Sequence, residues 1–118
     1  MAFVATRDPE RAKLFYRATL GLRLVEEELP FALVFDAHGT MLRVSIVREI
    51  HLAPYTVLGW DVADIAATAK KLMEAGVKFA RYPGMQQDEL GIWTAPGGAK
   101  VAWFQDPDGN VLSITQFA

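Results

Sequence analysis

The sequence predicts an α+β fold of two β-α-β-β-β modules forming a curved mixed sheet, with the helices on its outer face. A doubled pattern carries this expectation. Asp8 opens a helical stretch that closes on Phe15–Leu22 (FYRATLGL), and Asp64 opens a second that closes on Lys71–Val77 (KLMEAGV). Each is followed by apolar runs ending in a related turn, Phe35–Val47 (FDAHGTMLRVSIV) and Phe104–Phe117 (FQDPDGNVLSITQF). Placing Gly39 on Gly109 brings Asp36 onto Asp106, Leu42 onto Leu112 and Val44 onto Ile114. A repeat near half the chain length means two copies of one supersecondary unit.

The elements follow in order. Ala2–Thr6 is a short strand. Asp8 is a good N-cap with Pro9 at the first helical position, where its missing N–H costs little. Ala12, Phe15, Tyr16 and Thr19 share one face of that helix, and Gly21 suits a left-handed stop. Leu22–Glu27, Phe31–Asp36 and Met41–Val47 read as three strands. The second copy begins with a strand at Val57–Val62. Its helix starts at Asp64, with Ile65, Thr68, Ala69, Leu72 and Met73 as the buried stripe and Gly76 as the cap. Val77–Tyr82, Ile92–Ala95, Val101–Phe104 and Val111–Phe117 supply the later strands. The whole chain is expected to form a single domain over residues 1–118, with module one at 1–47, a linker at 48–55 and module two at 56–118.

Composition narrows the classes. With 118 residues, 52% of them hydrophobic, the chain can bury a real core without metals or disulfides. A net charge of −2 gives no electrostatic footprint for nucleic acid or an anionic membrane. No run of about 18 apolar residues suggests a membrane span, and the start lacks a signal-peptide pattern. The cytoplasm is the expected compartment. Zero cysteines exclude disulfides, thiolate ligands and cysteine nucleophiles.

Strand alternation separates two sheet faces. Leu42, Val44 and Ile46 oppose Met41, Arg43, Ser45 and Val47. Leu58, Trp60 and Val62 oppose Val57, Gly59 and Asp61, and Leu112 and Ile114 oppose Val111, Ser113 and Thr115. The apolar set belongs under the helices. The mixed face is either a pocket wall or simply wet.

The paired modules, the Asp-started helix with FYRATLGL and the closing WFQDPDGNVLSI resemble the vicinal oxygen chelate superfamily. That group includes glyoxalase I, extradiol dioxygenases, fosfomycin-resistance enzymes, methylmalonyl-CoA epimerase and the bleomycin-resistance proteins. The competing fold is a ferredoxin-like dimeric barrel, with one strand fewer after each helix. The resemblance implies a metal held by a His on the first strand of a module and by a Glu, Gln or His beyond the turn. The matching positions here are Met1 and Val57 for the first kind, Arg43 and Ser113 for the second. Thioether, alkyl, guanidinium and hydroxyl groups make a poor set for a divalent cation. The expectation is therefore no metal and no cofactor.

Other metal candidates are thin. His38 falls in a turn and His51 in the linker. Glu26, Glu27 and Glu28 read as a solvated edge that deters strand pairing.

On the mixed face Arg43 stands out, as a planar cation suited to a carboxylate or phosphate. Its alternative fate is a pair with Asp61 or with the Glu26–Glu28 run. If Phe104 points under the helices as its counterpart Val34 would, Trp103 faces the pocket. Trp103 and Trp93 can then stack on a planar ligand, or they serve as core or dimer packing. Trp60 has the opposite parity and reads as core. Asp61 and Ser113 complete the expected ligand-binding set of Arg43, Asp61, Trp93, Trp103 and Ser113.

The segment Tyr82–Val101 is rich in Gly and Pro and reads as loop. Its Gly97–Gly98 pair is a turn signal and not a phosphate loop, since no helix follows. No nucleophile with a base and no paired carboxylates emerge, so no catalytic residues are assigned.

Two function classes remain. One is a metal-free protein that sequesters a small organic ligand, as the resemblance to the bleomycin-resistance branch implies. The other is a metal-dependent glyoxalase-like lyase, transferase or dioxygenase using unrecognised ligands. The expected partners are that ligand and a second copy of the chain, since a homodimer would cover edges and faces that one chain leaves open.

Overall fold

A computed structural model describes all 118 residues. The chain forms two compact units. The first holds Met1–Ala53 and Asp106–Asn110, and the second holds Pro54–Gln105 and Val111–Ala118.

The first unit opens with β1 (Ala2–Thr6) and α1 (Pro9–Leu14). Asp8 caps α1 by accepting from the Arg11 N–H. The helix then widens into one π-helical turn, Phe15–Thr19, where the Leu20 N–H donates to the Phe15 carbonyl. Gly21 follows with φ of 72°, the left-handed residue that ends the run. β2 (Arg23–Glu28), β3 (Ala32–Ala37) and β4 (Thr40–Ile46) complete a mixed sheet in the order β1-β4-β3-β2, with β1 and β4 parallel. Its core gathers Ala12 and Tyr16 of the helix with Leu33, Phe35, Leu42 and Val44.

The second unit repeats the plan. β5 (Leu58–Asp61) runs parallel to β8 (Val111–Gln116), and the order is β5-β8-β7-β6, with β6 at Trp93–Thr94 and β7 at Lys100–Gln105. α2 (Ile65–Glu74), capped by Asp64, buries Ile65 and Ala69. Ala102, Phe104, Leu112 and Ile114 form the buried layer of this sheet. Both units therefore have the α+β, mixed-sheet character the repeat predicts, as two four-stranded sheets.

Face assignment by alternation holds for the core. Leu42, Val44, Leu112 and Ile114 are buried, while Ile46, Leu58, Trp60 and Val62 are half-buried nearer the strand ends. Met73, expected in the α2 stripe, lies 46% exposed.

Val77–Tyr82 is not a strand. Only the Ala80 N–H reaches β7, donating to the Trp103 carbonyl. The Gln87 side chain takes up two further backbone groups of the segment, donating to the Ala80 carbonyl and accepting from the Tyr82 N–H, and it also donates to the Gly91 carbonyl. A side-chain amide thus stands where a neighbouring strand would be. Phe79 instead packs edge-on against Phe104, with centroids 5.6 Å apart.

The repeat needs one correction of register. Asp36 pairs with Met41 across the four residues 37–40, with His38 (φ 54°) and Gly39 (φ 95°) at the tip, whereas Gln105 pairs with Val111 across the five residues 106–110. Phe35 faces Leu42 and Phe104 faces Leu112. The counterpart of Phe104 is therefore Phe35 and not Val34, and Asp106 matches Ala37 and not Asp36. One extra turn residue moves a side chain to the opposite face. Asp36 consequently sits half-exposed opposite Met41, while Asp106 is buried.

Candidate functional site

On the first sheet Arg43 pairs with Phe3 of β1 and Val34 of β3, on the face away from Leu42 and Val44. Its Nη1 lies 3.1 Å from both carboxylate oxygens of Glu28, which belongs to β2. Because β3 lies between β4 and β2, this ion pair crosses over β3. It spans the positions of Ala32 and Val34, both buried. The arginine stem can cover apolar surface while its head stays polar. Of the ion pairs open to Arg43 in the sequence, the one with the glutamate run forms, through Glu28.

The other four expected site residues share the second unit and one face of its sheet. Ladder register puts Gly59 beside Ser113 and Ser113 beside Trp103, in one row across β5, β8 and β7. The next row runs from Asp61 through Thr115 and Val101 to Trp93. Trp103 and Trp93 lie with ring centroids 6.1 Å apart at 37°. Tyr82 stands edge-on to Trp103 at 5.6 Å and 85°. Tyr82 was not among the expected site residues, since it closes a stretch that reads as a strand and no periodicity links it to Trp103.

Ser113 is 7% exposed, and its hydroxyl makes no hydrogen bond within the chain. No side-chain oxygen or nitrogen is both fully enclosed and unpartnered, so this Oγ still reaches the surface. It leans over Gly59, where an added Cβ would come within 2.7 Å of it. Asp61 is exposed and takes no part in the ion pairs of the chain, which join Lys13 to Glu27, Arg23 to Asp36 and Arg43 to Glu28.

A buried polar cluster in the first unit was not foreseen. Asp106 accepts from the Tyr16 hydroxyl at 2.6 Å, from the N–H groups of Asp108 and Asn110, and from the Asn110 side chain. Asn110 also donates to the Ala5 carbonyl, and the Thr6 hydroxyl meets the Asp108 carboxylate. Burial and the adjacent Asp106 carboxylate push the Tyr16 hydroxyl far above the usual tyrosine range. The cluster locks the turn 106–110 in place. All its groups are satisfied, so it reads as structural.

A cleft of about 420 Å³ runs beside Arg11, Leu14 and Arg17, and another of about 420 Å³ lies at the start of α2 near Asp88, Lys100 and Gln116. Neither includes an expected site residue.

The positions that would hold a metal in related enzymes carry an exposed Met1, the Glu28-bound Arg43, Val57 and Ser113. Three or more His, Asp or Glu side chains placed to hold an ion are not found together anywhere in the chain. These residues do not fit a divalent cation, which needs several anionic or imidazole ligands to replace its water. No helix is long and apolar enough to cross a membrane.

Two β-α-β-β-β units, each a four-stranded mixed sheet with a helical layer on one face, define the class of fold. The chain belongs to the Glyoxalase/Bleomycin resistance protein/Dioxygenase superfamily, whose family model matches residues 1–114. No curated protein sequence matches the chain. Among solved structures it resembles a protein of Bacillus anthracis named for the glyoxalase family, at 15% identity and a TM-score of 0.78, covering 99% of this chain and 92% of that one. It also resembles lactoylglutathione lyase from Agrobacterium tumefaciens, at 17% identity and a TM-score of 0.73, covering 98% and 92%. A third similar structure is TioX from Micromonospora sp. ML1, at 19% identity and a TM-score of 0.74, covering 99% and 96%. At these identities the likeness is one of fold.

Proposed function

We infer that this chain binds a small organic molecule without the help of a metal, using the helix-free face of its second sheet. The observation that carries the reading is the row Gly59–Ser113–Trp103. It sets a free hydroxyl between a residue with no side chain and an indole wall. Trp103 and Trp93 supply flat apolar surface, and Ser113 Oγ supplies one hydrogen bond to fix orientation, the mix expected of a small-molecule site. Arg43 contributes less in this reading, because an acidic ligand group would have to compete with Glu28 for the guanidinium. The donor set at the family's metal positions supports sequestration over metal-assisted turnover.

Tryptophan fluorescence and thermal shift against a panel of bicyclic heteroaromatic compounds test the proposal. Binding should quench the indoles, survive exhaustive chelation, and weaken about tenfold or more in Trp103→Ala, in line with one stacked aromatic contact of roughly 1–3 kcal/mol. Binding that disappears on chelation and returns with added zinc or manganese would overturn it.

A further inference from the structure

The charge of the ligand can be read from the same face, an inference that rests on the binding role just proposed. The strands present Gly59 and Asp61 from β5, Val111, Ser113 and Thr115 from β8, Val101, Trp103 and Gln105 from β7, and Trp93 from β6 on this side. Lys100 has the opposite parity, pairing with Gln116 and Thr94, and lines the cleft at the start of α2. Asp61 is therefore the one formally charged side chain the four strands place on this face. It is exposed and has no cation to neutralise it.

The neighbouring aromatic rings point the same way. A π face carries partial negative charge and attracts a cation lying over it. Tyr82, perpendicular to Trp103, and Trp93, tilted from it, give such a group more than one ring to approach. An anion placed here would meet a carboxylate and π faces, with no positive side chain on these strands. Ordinary strand spacing separates the Cα atoms of Asp61 and Trp103 by about 12 Å, since they lie two strands and two residues apart. Two fused rings fill that span once the side chains are counted.

We propose that this face selects a planar organic cation, a protonated or quaternised fused heteroaromatic. Its ring lies along Trp103, Ser113 Oγ donates to or accepts from a polar ring substituent, and its charge lies toward Asp61. The Ser113 hydroxyl reaches the surface with no partner in the chain, so it is available to such a ligand atom.

Three probes of one shape separate charge from stacking: 1-methylquinolinium, neutral quinoline and quinoline-4-carboxylate. Each is titrated by calorimetry and tryptophan fluorescence into the full chain at low salt. The expected order is cation, then neutral, then anion, with about tenfold between the ends. The gap should narrow as salt is raised toward the physiological range. Asp61→Asn should abolish most of the preference for the cation, bringing its affinity close to that of neutral quinoline. Trp103→Ala should weaken all three. Equal binding of the three probes, or a preference untouched by Asp61→Asn, overturns the charge assignment while leaving the aromatic site standing. If none of the probes binds, or if Trp103→Ala binds all three as tightly as the parent, both the assignment and the site fall.

Discussion

The hydroxyl of Tyr16 donates to Asp106 Oδ2 at 2.6 Å, joining the first helical segment to a turn ninety residues further along the chain. Tyr16 is fully buried and Asp106 is 5% exposed. A hydrogen bond to a charged group in such a place is worth about 1.5–3 kcal/mol. Tyr16→Phe should therefore lower the unfolding free energy by about 2 kcal/mol in urea titration, with the urea dependence unchanged.

The same contact has a pH signature. The Tyr16 hydroxyl is raised above its usual value by burial first and by Asp106 second. The folded protein thus holds a proton that the unfolded chain releases near pH 10. Stability from this group is fully present below about pH 10 and is lost as the pH climbs beyond it. Denaturation curves taken between pH 9 and 11 should show the parent losing stability faster than Tyr16→Phe. Parallel curves would contradict the assignment.

Asp36 gives the opposite slope. The Gly39 N–H, and after it Arg23, hold its carboxyl below the usual aspartate range. A lowered carboxyl stabilises above the unfolded value near pH 4, and the contribution disappears as the pH falls. Asp36→Asn should cost a little stability at neutral pH and flatten the acid limb of the stability profile. The check is a thermal-melt series from pH 6 to pH 2.

Gly59 and Ser113 should be coupled. A Cβ at position 59 would lie 2.7 Å from Ser113 Oγ, so the hydroxyl must turn aside, and overpacking at this exposed position should cost toward the low end of about 1–3 kcal/mol. Gly59→Ala should destabilise by that order, and adding Ser113→Ala should recover most of the loss. A double-mutant cycle with no coupling would show that the hydroxyl rotates away freely.

Arg43→Ala separates a strap from an anchor. Both side chains of the Arg43–Glu28 pair are about a third exposed, at 30% and 38%, so solvent screening keeps the pair worth less than about 1 kcal/mol. The expected outcome is a small loss of stability and unchanged binding of the quinoline probes. A hundredfold loss for an acidic ligand would instead restore Arg43 to the binding site.

The chain should sediment as a homodimer, at twice the 13.1 kDa of one copy. Phe3, Leu29 and Phe31 are 61%, 58% and 70% exposed, apolar side chains that a second copy could cover. Analytical ultracentrifugation at micromolar concentration checks this, and a single species of monomer mass would refute it.

Much of the architecture was legible because it rests on local signals. Asp8 and Asp64 cap their helices, and strand alternation sorts Leu42, Val44, Leu112 and Ile114 into the core. Val77–Tyr82 misled because its apolar content suits a strand, while its hydrogen bonds are divided among Leu72, Trp103, Met85 and the Gln87 side chain, which no propensity reveals. The single extra residue in the second turn was hidden by matching glycines, since Gly39 and Gly109 share φ values of 95° and 94°. Trp103 lies on the mixed face as expected, although the argument through Val34 does not hold. Val34 matches Trp103 on that face, and the core residue that matches Phe104 is Phe35. The Tyr16–Asp106 contact was illegible for another reason. A tyrosine on an apolar helix face and an aspartate in a hairpin turn each have an ordinary explanation, and only tertiary structure brings them together.

The turn at 106–110 lies in the last part of the sequence and belongs, by its contacts, to the first compact unit. A substitution at Asp106 or Asn110 is therefore felt in the unit built from the opening half of the sequence, through Tyr16 and Ala5. Cutting the chain between the two sequence copies would part the first unit from the turn that its own contacts claim.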